Sequence, residues 1–128
     1  MFTDNHYQNS TLLFSYLIVS VDGIVDDREM AAIRKICEQE NISSEDLLTF
    51  LTEISTQPER QIFNLGHEEI SHCTDEEKTN VFGWLHRLSE ADGDMHVKEV
   101  RFLLYSIKRA GIEFEDVVKA SANLPSLL

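Results

Sequence analysis

Between Thr11 and Asp22 the chain reads Leu12-Leu13-Phe14-Ser15-Tyr16-Leu17-Ile18-Val19-Ser20-Val21, ten residues without a charge. Wound into a helix, these side chains point in nearly every direction, and a helix that is apolar all round has to be enclosed by other elements. The run is about half of the roughly 20 residues a membrane-spanning helix requires. It is therefore expected at the centre of a water-soluble core, and the rest of the chain must supply the layer around it.

That layer reads as helices. A second helix is expected from Asp26 to Glu40, with Met30, Ile33, Ile36 and Cys37 on one stripe and Asn41 as its stop. Ser43 or Ser44 caps a third, facing inward with Leu47, Leu48, Leu51 and Ile54. Pro58 suits the first turn of a fourth, which carries Ile62, Phe63, Leu65 and Ile70. Thr74-Asp75-Glu76-Glu77 is a capping box opening a fifth, with Val81, Phe82, Trp84, Leu85 and Leu88 inward. A sixth runs from about His96 to Ala110, with Val100, Leu103, Leu104 and Ile107, and stops at Gly111. A short seventh includes Val117, Val118 and Ala120 and ends before Pro125. No stretch alternates with period two and no Gly/Ser linker divides the chain, so a single all-α domain over residues 1–128 is expected.

Two acidic corners interrupt the helices. The first is Asp22-Gly23-Ile24-Val25-Asp26-Asp27-Arg28-Glu29, and the second is Asp92-Gly93-Asp94-Met95-His96-Val97-Lys98-Glu99. A shift of 70 positions superposes them and also pairs Ile33 with Leu103, Ile42 with Ile112, and Glu45-Asp46 with Glu115-Asp116. The repeat extends over about residues 12–48 and 82–118. It divides the chain into two three-helix units, about 10–56 and 74–123, joined by the fourth helix.

A helix ending in Asp-Gly, an apolar residue two positions later (Val25, Met95) and Glu opening the next helix, twice over, resembles the TerB family of tellurite-resistance-associated, all-helical domains. The likeness covers about Ser10 to Asn123. It implies a seven-helix domain in a stress-response setting, with divalent cations held by the carboxylates of the Asp-Gly…Glu motifs. Asp22, Gly23, Glu29, Asp92, Gly93 and Glu99 match that motif. The second corner departs from the first in placing His96 and Val97 where Asp26 and Asp27 stand.

Read from the residues alone, the corners have a structural function first. Asp26 fits the N-cap of the second helix with Glu29 closing a capping box, and Val25 and Met30 form a staple across it. His96 and Glu99, with Met95 and Val100, repeat that pattern. Asp22 and Asp92 have no such account, since each ends a helix where the macrodipole disfavours a negative charge. A hard cation such as Ca²⁺, Mg²⁺ or Mn²⁺ takes oxygen ligands, and Asp22, Asp26, Asp27 and Glu29, with Asp92, Asp94 and Glu99, are the candidate set. An EF-hand is excluded, because Gly stands second and Glu eighth from the leading Asp.

Lys and Arg number 11 against 23 Asp and Glu, giving a formal net charge of −12. Such a surface repels phosphate backbones and anionic headgroups, so nucleic acid and membrane surface are poor partners. Two separated cysteines, Cys37 and Cys73, and the lack of a basic leader point to a reduced, cytoplasmic protein. His67 and His72 are five residues apart, about 140° around a helix, and so do not form a zinc-protease pair. No phosphate loop, nucleophile elbow or catalytic triad is present. The expectation is a non-enzymatic binding protein, monomeric or weakly dimeric. The alternative is a helical module for protein partners in which the corners are only turns.

Overall fold

The structure, a computed structural model, describes residues 5–20, 26–91 and 97–127. These form seven helices and no strand: α1 His6–Ser20, α2 Asp27–Gln39, α3 Ser44–Ile54, α4 Glu59–Ile70, α5 Asp75–Ala91, α6 Val97–Ala110 and α7 Phe114–Asn123. α1 is the axis of the molecule. Leu13, Phe14, Leu17 and Ile18 on it are buried on all sides, chiefly by α4 and α5, with α6 and α2 completing the wrap. α5 is the second axis, packed on α7 and α1, and its Val81, Phe82, Trp84 and Leu85 are likewise enclosed.

Two glycines set how closely these axes are approached. A Cβ on Gly66 of α4 would lie 3.3 Å from the Phe14 ring of α1. One on Gly83 of α5 would lie 3.1 Å from Leu124 Cδ1 and 3.3 Å from the Ser121 backbone nitrogen of α7. The absence of a side chain is what brings these helix pairs together.

The helix ends carry their own chemistry. Asp26, Ser43 and Thr74 cap α2, α3 and α5 as their spacing predicts, whereas Pro58 stands one position outside α4 as its N-cap. α2 and α6 end in the same turn. Asn41 and Gly111 are left-handed (φ 59° and 77°), and Ile42 and Ile112 donate their N–H groups back to Cys37 and Ile107 carbonyls at 2.8 and 3.2 Å. The six-residue return closes off carbonyls that the helix leaves open.

Three details depart from the sequence reading. α1 begins at His6, ahead of the apolar run, and the polar residues Asn9, Ser10 and Thr11 are buried in it. Leu48 and Leu104, expected inward, are 66% and 46% exposed, and Val118, beside the buried Val117, is 40% exposed. Phe50, not singled out from the sequence, is buried and meets Tyr16 edge-on at 6.2 Å between ring centroids.

Candidate functional site

The first corner enters the described structure at Asp26. Its backbone is extended (φ −89°, ψ 173°), and its Oδ1 accepts the Glu29 N–H at 2.8 Å. Glu29 Oε1 accepts the Asp26 N–H in return at 3.3 Å, so the capping box is complete. Asp27 begins the helix with its carboxylate exposed, making no hydrogen bond or ion pair among the described residues. At the second corner Glu99 lies in the first turn of α6 and is 5% exposed, engaged by another group of the protein. Asp22, Gly23, Asp92, Gly93, Asp94 and the expected His96 cap lie outside the described residues. Among the described residues no group of three or more His, Cys, Asp or Glu side chains is arranged to hold a metal ion.

Several polar constellations lie elsewhere. At the start of α1, His6 Nδ1 pairs with Glu69 Oε2 of α4, whose Oε1 accepts from Asn9 Nδ2 at 2.9 Å. The His6 ring stacks on His72 at 4.5 Å, and His72 Nε2 lies 3.3 Å from Glu68 Oε1. These contacts pin the beginning of α1 to the end of α4. Deeper, Trp84 Nε1 donates to Glu40 Oε1 at 3.1 Å, joining α5 to the end of α2. Burial, and then the Glu40 carboxylate, push the Tyr7 phenol well above its ordinary pKa.

His67 is the buried titratable group of α4. Its ring sits edge-on between Phe14 (5.1 Å) and Phe63 (4.5 Å), and its Nε2 has no hydrogen-bond partner among the described residues. Burial first, and the positive charge of Arg109 second, push its pKa down to about 4. It lines a cleft of about 450 Å³ together with Asn64, Lys78 and Arg109. The cysteines are not activated either. Burial pushes Cys37 up to about 11 and, ahead of neighbouring Glu77 and Glu69, raises Cys73. A thiol held protonated is a poor nucleophile and a poor metal ligand.

The surface feature that sequence reading missed is the outer side of α6. Every exposed residue of this helix is apolar or basic: Val97, Lys98, Arg101, Leu104, Tyr105, Lys108 and Arg109. The signal was present in the sequence, as an acid-free set at helical spacing. It is legible only once the buried side of α6 is known. No helix among the described residues is long and apolar enough to cross a membrane. Comparison with known proteins adds no relative: no family model, no curated protein and no solved structure matches the chain.

Proposed function

We propose that the chain is a non-enzymatic, TerB-like helical binding protein whose first acidic corner coordinates a divalent cation, Ca²⁺, Mg²⁺ or Mn²⁺. One observation carries this reading. The capping box occupies a single oxygen of Asp26, while the neighbouring Asp27 carboxylate stands exposed with no partner among the described residues. Hard cations are bound by such oxygen donors, and Asp22 and Glu29 lie close by in sequence to add to them. Asp92, Asp94 and Glu99 form the corresponding set at the second corner. The matching left-handed turns at Asn41 and Gly111, 70 positions apart, support two like units joined by α4. Tellurite-resistance-like stress response, a cytoplasmic setting and a monomeric or weakly dimeric state complete the proposal.

The test is calorimetric titration of Ca²⁺, Mg²⁺ and Mn²⁺ into the wild type, Asp27→Asn, and the Asp22→Ala/Asp92→Ala double variant. A wild-type heat that weakens at least tenfold in the variants supports the site. Identical, negligible heats in all three proteins refute it.

The capping box also favours a second reading, in which the corners are helix-initiating turns and the protein docks a partner. Asp26→Ser with Glu29→Gln keeps both capping functions but removes two carboxylates. Retained cation binding and retained stability in this variant would leave these two side chains as structural only.

A further inference from the structure

We propose that the outer face of α6 is a docking surface for an acidic, amphipathic helical segment of a partner protein. This inference is independent of whether the corners bind a cation. At 3.6 residues per turn, Leu104, Val97, Lys108, Arg101 and Tyr105 fall within an arc of about 100°. All five are exposed, with Val97, Leu104 and Tyr105 at 61%, 46% and 55%. The only acidic residue of the helix, Glu99, is on the opposite side and buried. α6 therefore presents an apolar seam with positive charge along it.

Charge complementarity identifies the occupant. α6 holds four basic residues and one acid, a net +3, in a chain of −12, so the remainder carries −15. A narrow acidic helix laid along α6 faces first the apolar and basic residues of that helix. An anionic bilayer is broad and flat, so it would reach past α6 onto that strongly negative remainder within a Debye length of about 8 Å. An acidic segment with apolar residues spaced at i, i+3, i+4 and i+7 matches both components of the face.

The surface is also fixed before a partner arrives. The Tyr105 ring stacks on Phe63 of α4 at 5.9 Å and 25°, and the Arg109 guanidinium lies 5.2 Å from the same ring's centroid. Tyrosine and arginine are the side chains that most often anchor interfaces, and one already held in place loses less entropy on binding.

The probe is a fluorescein-labelled synthetic helix of Leu at i, i+3, i+4 and i+7 with Glu elsewhere, titrated with the full chain and followed by anisotropy. A peptide of the same composition but scrambled order and 3:1 phosphatidylcholine/phosphatidylserine vesicles serve as comparisons. The expected result is binding of the amphipathic peptide at least tenfold tighter than the scrambled one. The affinity is expected to fall with salt and to be lost at least tenfold in Arg101→Glu/Lys108→Glu and in Leu104→Ala/Tyr105→Ala. Circular dichroism of these surface variants verifies that each is folded. No binding, equal binding of the scrambled peptide, or an affinity within twofold of wild type in the charge-reversed variant overturns the proposal. So does tighter association with the vesicles. Self-association on sedimentation that the charge reversal abolishes would also overturn it, giving the face to a second copy of the chain.

Discussion

His67 turns its burial into a measurable dependence of stability on pH. Its pKa in the folded protein is pushed down to about 4 by burial and then by the positive charge of Arg109. In the unfolded chain the ring titrates near its ordinary value of about 6.5. Between these values the unfolded state binds a proton that the folded state refuses. Stability is therefore intact above about pH 6.5, falls as the pH drops, and levels off below about pH 4. Integrating over that window to pH 4 gives a loss of about 3 kcal/mol, a large share of the 5–15 kcal/mol typical of a domain. Acid also titrates the carboxylates, so the contribution of this ring has to be isolated by difference. Urea unfolding of the wild type and His67→Leu, followed by Trp84 fluorescence at pH 7, 6, 5 and 4, provides that difference. The expected outcome is that the variant gains about 3 kcal/mol relative to the wild type between pH 7 and pH 4, with nearly all of it appearing below pH 6.5. Stability curves that stay parallel across the whole range would refute the assignment of a neutral, acid-resistant imidazole at this position.

Gly83→Ala would press a methyl group against the α7 backbone, and urea unfolding is expected to show a loss of about 1–3 kcal/mol despite the better helix propensity of alanine. Asp26→Ala removes the side-chain acceptor of the α2 cap and should cost about 1 kcal/mol in the same assay. At the left-handed turn after α2, Asn41→Ala is expected to cost about 1 kcal/mol while Asn41→Gly holds or raises stability, which thermal melts of the pair will separate.

Much of this fold was legible because its signals are local. The capping boxes at Asp26–Glu29 and Thr74–Glu77 and the stops at Asn41 and Gly111 depend on residues a few positions apart, and they stand where spacing placed them. The inward side of α5 was equally plain, since five large apolar residues crowd one stretch. Adjacent apolar pairs were less so. Leu47-Leu48, Leu103-Leu104 and Val117-Val118 each bury the first residue and expose the second. Neighbours on a helix diverge by about 100°, so a helix covered on one side accommodates only one of the two. The polar start of α1 was missed for another reason. Ser10 and Thr11 return their hydroxyl hydrogens to the carbonyls of His6 and Tyr7, while Asn9 reaches Glu69, 60 residues away. Nothing in a local window announces that distant partner. The site was legible only in part: the Asp26–Glu29 cap is in place, while Asp22, Asp92 and Asp94 lie outside the described residues.

The position of α1 has a consequence during synthesis. Its apolar girdle is closed chiefly by α4 and α5, and α5 ends near Ala91, about 70 residues after α1 does. At cellular elongation rates of about 5–20 residues per second, roughly 4–14 seconds separate the appearance of this helix from that of its cover. Until α4 and then α5 have emerged, the nascent chain carries a short, uncharged, apolar segment whose cover is incomplete. A charge introduced at Leu13 or Leu17 would destroy the finished core, so this transient exposure cannot be relieved by mutation at those positions.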